Sequence, residues 1–283
     1  MLSREKSELV AGLRTQIAAL EASPQQQAET RFKLGLEAVD TRLPGGGLAR
    51  CGVHEVTARA YGDMGAAIGF AAALAARASQ TSLDAPPHGP DMALGKEGLI
   101  AWCQQGWGTY DQGPLYGPGL AAFGIDPSRL LLVNPAREPD MLWALEECVR
   151  AGVFAAVVGE VPATSRHFNL RASRRLHLGA EDRGTPLILL RGHGEMLSPS
   201  AALTRWKISA SPTEGGVPRQ MTAASCWQVE LEKCKGGQSF STSLSWDGLV
   251  GAFRQVVNPP QRILAPIVVR SAEQVDTPMR EVG

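Results

Sequence analysis

Apolar residues recur at helical spacing over the first twenty positions. Leu9, Leu13, Ile17 and Leu20 stand four, four and three apart, with Leu2 seven before Leu9, and Arg4, Glu5, Glu8, Arg14 and Glu21 lie largely off the stripe. The spacing predicts an amphipathic helix over residues 3–22, closed by Ser23-Pro24 and followed by a Gln-rich linker. Such a helix must bury its stripe, on its own domain or on another chain.

After Phe32 the pattern becomes short apolar runs separated by helical periods. Residues 52–56, 98–104, 129–133, 154–158 and 186–190 read as strands, and 66–79, 120–123, 139–151 and 169–178 as helices. In the third helix Met141, Leu142, Leu145 and Val149 share one face. Strands apolar on both faces and alternating with helices predict a mainly parallel sheet flanked by helices. From Thr204 the period falls to two. Residues 204–210, 226–233 and 240–246 read as an antiparallel extension, with a hairpin turn at Lys235-Gly236-Gly237-Gln238. Trp206, Trp227 and Trp246 fall on that alternation and read as core residues. Beyond Asn258 no period is sustained, which predicts a mobile tail with a partner-binding segment at Ile263–Val269. The expected organisation is a helix and linker over 1–30, an α/β core over 31–248, and a partly disordered tail over 249–283.

Composition narrows this little. The chain has 283 residues, 44% of them hydrophobic, with 28 basic and 28 acidic side chains, as a globular chain does. No apolar run reaches membrane-spanning length, and the charged start, MLSREKSELV, lacks a secretory signal's apolar core. Five cysteines without a CxxC pair argue for reduced thiols in a cytoplasmic protein. The balanced total hides an asymmetry: residues 1–160 hold 13 basic and 18 acidic side chains, residues 161–283 hold 15 and 10. An anionic partner favours the second half.

A parallel sheet invites a search for a phosphate loop, GxxxxGK[ST], whose backbone N–H groups cradle phosphates while its lysine and hydroxyl serve the γ-phosphate and Mg²⁺. The place for it, TARAYGDMGA at residues 57–66, has neither. The lysine position falls near Met64 and the hydroxyl near Gly65. A metal-binding Asp at the end of the fourth strand is replaced by Gly159, with Glu160 as a shifted alternative. The second strand ends Trp102-Cys103-Gln104-Gln105, without the Glu that would orient water. No catalytic, cofactor or metal site is expected. No two histidines stand at i+3 or i+4, and no GxSxG occurs. Arg191-Gly192-His193-Gly194-Glu195 reads as a ligand loop or as a tight exit turn.

The segment from Ser165 to His177 holds Arg166, Arg171, Arg174 and Arg175 and no acid. Phe168, Leu170 and Leu176 are expected to face the core, leaving the arginines for phosphate oxygens, for solvent, or for carboxylates elsewhere. Arg205, Lys207, Lys233 and Lys235 would extend a cationic surface.

Several of these stretches, in this order, resemble the core of RecA-type recombinases: LPGGGLARCGVHEV, and the run from GPLYGPGLAAFGID through VNPAREPDMLWALEECVRAGVFAAVVGEV. With NLRASRRLHL, RWKISA and WQVELEKCKGG the chain is more similar still to the ImuA family, RecA-like accessory proteins of bacterial translesion mutagenesis. The resemblance spans roughly residues 31–248. It implies a degenerate nucleotide site and a non-catalytic adaptor in the DNA-damage (SOS) response. The implied partners are an ImuB-type Y-family-like protein, an error-prone C-family polymerase, RecA and DNA. In RecA an N-terminal helix docks on the neighbouring subunit, so Leu9, Leu13, Ile17 and Leu20 are the expected self-association or partner stripe. The implied location is cytoplasmic and nucleoid-associated. The alternatives are a weak DNA-dependent ATPase or switch, and a damage-response division inhibitor.

Overall fold

The computed structural model describes residues 31–81, 98–105, 113–193, 198–212 and 225–256. The stripe Leu9, Leu13, Ile17 and Leu20 and the segment Ile263–Val269 lie outside the described residues. A short ribbon pairs β1 (Arg31–Phe32) antiparallel with β2 (Leu48–Ala49). Between them lie a one-turn helix, α1 (Glu37–Asp40), and a tight turn over residues 44–47. Gly45 and Gly46 take φ of 67° and 78°, which side-chain-bearing residues rarely adopt.

The main sheet has nine strands in the order β11-β10-β9-β8-β3-β7-β6-β4-β5. Its parallel part comprises β3 (Val53–Ala58), β4 (Leu99–Cys103), β5 (Leu130–Val133), β6 (Phe154–Glu160), β7 (Leu187–His193) and β8 (Thr204–Ala210). Strands β9 (Cys226–Cys234), β10 (Phe240–Asp247) and β11 (Ala252–Gln255) continue it antiparallel.

On one face lies α2 (Met64–Thr81). It is rich in alanine, a strong helix former with little bulk, and Ala67, Ala71, Ala75 and Ala78 are fully buried. They share a core with Phe70, Trp102, Trp206 and Trp227. A short helix, α3 (Gly117–Ala122), precedes β5. The opposite face carries α4 (Glu138–Ala151) and α5 (Leu170–Arg183). The predicted stripe of α4, Met141, Leu142, Leu145 and Val149, is buried there with Val157, Leu176 and Leu189. Asn169 caps α5 by accepting the Ala172 N–H at 3.1 Å.

Three expectations need correction. Strand β8 is not wholly antiparallel: it runs parallel to β3 and antiparallel to β9, joining the two halves. Its alternation reports which face is buried, not which way its neighbours run. The sheet also extends past residue 248, because β11 pairs with β10. Leu170 does not face the core but is 54% exposed, whereas Phe168 and Leu176 are buried. As the first residue of α5 it sits on the outer side of the helix. No helix among the described residues is long and apolar enough to cross a membrane.

Candidate functional site

Two places matter: the strand ends beside the start of α2, and the outer side of α5.

At the strand ends, β3 stops at Ala58 and a short turn leads through Asp63 into α2. A phosphate-binding protein offers an anion its free helix N–H groups here. In this chain a carboxylate already occupies the turn: Asp63 accepts the backbone N–H groups of Ala60 at 3.2 Å and Ala210 at 2.9 Å. Its negative charge opposes a phosphate. Met64, at the lysine position, is fully buried in the core. Arg59 is paired with Glu230 at 2.7 Å, both half-exposed.

The carboxylate positions are equally changed. A Cβ on Gly159 would lie 2.5 Å from Leu145 Cδ2, and Leu145 is itself fully buried. An Asp there would have to displace a core side chain. Glu160, one residue on, turns to the α2 face, where it is buried and accepts the Trp102 Nε1–H at 3.0 Å. Burial pushes its carboxyl up to about 7, against the indole hydrogen bond, which pulls it down. Gln104 donates its side-chain amide to the Gly113 carbonyl at 3.1 Å, and a carboxamide cannot take a proton from water. Beside the start of α2 a cavity of about 510 Å³ opens between α2, α3 and the ends of β8 and β9, lined mainly by Ile68, Leu115, Tyr116, Phe123 and Trp227. Its walls suit a flat apolar group, not a triphosphate.

On α5 and in the loop before it, the four predicted arginines separate. Arg175 lies 2.6 Å from Glu146 of α4, and Arg150 grips the other oxygen of that carboxylate at 2.8 Å. Glu146 is 9% exposed, so Arg175 is a strut between two helices. Arg166, Arg171 and Arg174 are exposed and form no ion pair with a described residue. Exposed Leu170 and Leu178 share the outer side of α5 with Arg174 at four-residue spacing. The expected extension of this surface is largely neutralised. Arg205 pairs with Glu55 at 2.8 Å, Lys207 with Glu232, and Lys233 donates to the Ser200 carbonyl at 3.0 Å.

Sequence reasoning missed the cluster beneath α5. Glu55 on β3 is fully buried between Arg191 on β7, at 3.4 Å, and Arg205 on β8. The Arg191 guanidinium lies 3.9 Å from the centre of the Phe168 ring. The available signal was a charge within each of two mainly apolar strands, Glu55 in β3 and Arg191 in β7. These partners stand 136 and 150 residues apart, so no local period connects them.

A mainly parallel sheet flanked by helices on both faces and continued by antiparallel strands is a RecA-like core. The fold is that of the RadB recombinase crystal structure, with a TM-score of 0.50 at 15% identity over 80% of this chain and 99% of that one. Protein ImuA of Caulobacter vibrioides, in strains NA1000 / CB15N and ATCC 19089 / CIP 103742 / CB 15, is 31% identical over 217 residues, covering 73% of this chain and 80% of the relative. The chain belongs to the ImuA family. No family model matches it.

Proposed function

We propose that this chain is a non-catalytic, RecA-fold adaptor in damage-induced, error-prone translesion synthesis. It bridges an ImuB-type Y-family-like protein and an error-prone C-family polymerase, and carries the assembly to DNA. The observation that supports this reading is the strand-end site. The frame is intact, yet Met64, Gly159 and Gln104 stand where a lysine, a metal-binding Asp and a catalytic Glu would be needed. A transferring phosphoryl group would have no counter-charge there.

DNA contact, in this reading, runs through Arg166 in the loop before α5 and through Arg171 and Arg174 on its outer side. Partner contact runs through the stripe Leu9, Leu13, Ile17 and Leu20 and through the tail. The test is steady-state ATP hydrolysis with single-stranded DNA present, together with co-purification of the two polymerase-type partners. The adaptor reading expects no turnover above background and retention of both partners. Turnover that disappears when residues 57–66 or Glu160 are substituted would overturn it.

The apolar cavity beside α2 favours a second reading, a nucleotide-dependent switch whose base occupies that cavity. Titration with ATP separates the two. Saturable binding that Tyr116→Ala abolishes supports the switch, and no binding at millimolar concentration removes it.

A further inference from the structure

The cavity beside α2 is apolar, and a carboxylate stands next to it. Ile68, Leu115, Tyr116, Phe123, Cys226 and Trp227 line it, and among the described residues that do so none is acidic or basic. Tyr116 is 72% exposed, so the cavity opens to water there. Asp63 accepts the N–H of Ala210, itself a lining residue, at 2.9 Å. A cavity of this size and lining suits an aliphatic or aromatic group. A carboxylate one hydrogen bond away attracts a cation and repels a phosphate.

One stretch outside the described residues has the matching chemistry. Ile263-Leu264-Ala265-Pro266-Ile267-Val268-Val269 is uncharged and aliphatic, and it lies between Arg262 and Arg270. An apolar run flanked by two cations complements an apolar cavity beside a carboxylate. The run is also within reach. Val256, at the end of the described residues, donates its N–H to the Ser243 carbonyl on β10. Ser243 pairs in turn with Gln228 on β9, the chain neighbour of Trp227 in the cavity wall. Val256 therefore stands about 10 Å from β9, two strand spacings away. The seven residues from Val256 to Ile263 span up to about 25 Å. The surplus lets the chain turn over the β11 edge onto the α2 face.

We infer that this cavity is the docking site of residues 263–269 of the same chain, with Arg262 or Arg270 beside Asp63. The docking goes beyond both readings of function. It fills the space that the switch reading gives to a base, and it holds back the segment that the adaptor reading gives to a partner. A partner that takes the tail uncovers the cavity, and the cavity competes with that partner for the tail.

The test is the rate at which N-ethylmaleimide alkylates Cys226 in the full chain, read by peptide mass. Cys51 and Cys234, which like Cys226 are partly exposed, serve as references. A thiol covered by the tail reacts only when the tail leaves. Ile267→Asp puts a charge into the apolar run and speeds Cys226 about fivefold or more, with the references unchanged. In the reverse direction, Tyr116→Asp at the open side of the cavity releases the tail, and trypsin then cuts after Arg262 about fivefold faster or more. The wild-type rates are the same at low and high protein concentration, because the contact lies within one chain. Equal Cys226 rates in wild type and Ile267→Asp overturn the inference, as does a cleavage rate that Tyr116→Asp leaves unchanged. So does protection that grows with protein concentration, the mark of a second copy's tail, or a Cys226 rate that Leu13→Asp raises instead. None of these rates depends on ATP or on a polymerase, so failure of either functional reading is told apart from failure of the docking.

Discussion

On the α2 face of the sheet, ring meets ring: Phe70 lies 5.7 Å from Trp206, 5.6 Å from Trp227 and 5.5 Å from Phe253. On the α4/α5 face, buried carboxylates meet arginines: Glu55 with Arg191 and Arg205, and Glu146 with the half-exposed Arg150 and Arg175. Each face must deal with ionisable groups withdrawn from water, and the two do so differently. The aromatic face favours the neutral form. Burial raises Glu160 to about 7 and lowers His54 to about 4. The neutral His54 bridges Thr204 Oγ1 at 2.8 Å and the Ala49 carbonyl at 2.7 Å. The other face keeps its charges by pairing them. Among the described residues, the strand-end groups Glu160 and Gln104 are taken up by neighbours, Trp102 and the Gly113 carbonyl.

The largest test of this contrast removes one pillar from each face. Trp206→Ala leaves a cavity among the rings and costs about 3–5 kcal/mol. Glu55→Ala leaves two arginines without their shared carboxylate and costs a similar amount, about 3–5 kcal/mol. Urea unfolding measures both. The contrast breaks if Glu55→Ala is as mild as a surface change.

Restoring the missing metal ligand comes next. Gly159→Asp must push Leu145 aside and bring a carboxylate against the α4 core, for a loss of about 2–4 kcal/mol. A variant that keeps its thermal midpoint and gains ATP turnover would show the site to be merely unfinished.

A smaller effect reads the neutralising face through pH. The folded pKa of Glu160 is raised, so its contribution is complete below about pH 4.5 and is lost as pH climbs through 7. His54 is depressed, so its contribution is complete above about pH 6.5 and is lost as pH falls through 4. In wild type the two slopes oppose each other between these limits. Glu160→Gln removes the falling limb, a difference on the order of 2 kcal/mol near neutrality. Superimposable stability profiles for the two proteins would refute this assignment.

The smallest stability effects lie on the outer side of α5. Arg175→Ala deprives a buried carboxylate of one partner and costs about 1 kcal/mol. Arg171→Ala with Arg174→Ala changes stability by less than about 0.5 kcal/mol, yet weakens single-stranded DNA binding and flattens its salt dependence. An unchanged salt slope would return both residues to simple solvation.

Periodicity and punctuation by themselves determined the alternation of strands and helices, the buried stripe of α4, the burial of Trp206, Trp227 and Trp246, and the loss of phosphate-loop residues at 57–66. These are local properties: burial leaves a period of two or 3.6, and a missing lysine is missing wherever the chain folds. Tertiary structure alone decided the rest. It set the direction of β8, whose alternating pattern is the same beside a parallel or an antiparallel neighbour. It joined Glu55 to Arg191 across 136 residues. Among four similar arginines it chose Arg175 to clamp Glu146, while Arg166, Arg171 and Arg174 stay on the surface. Pairing between distant elements depends on how the chain returns to the sheet, and no short window of sequence contains that information.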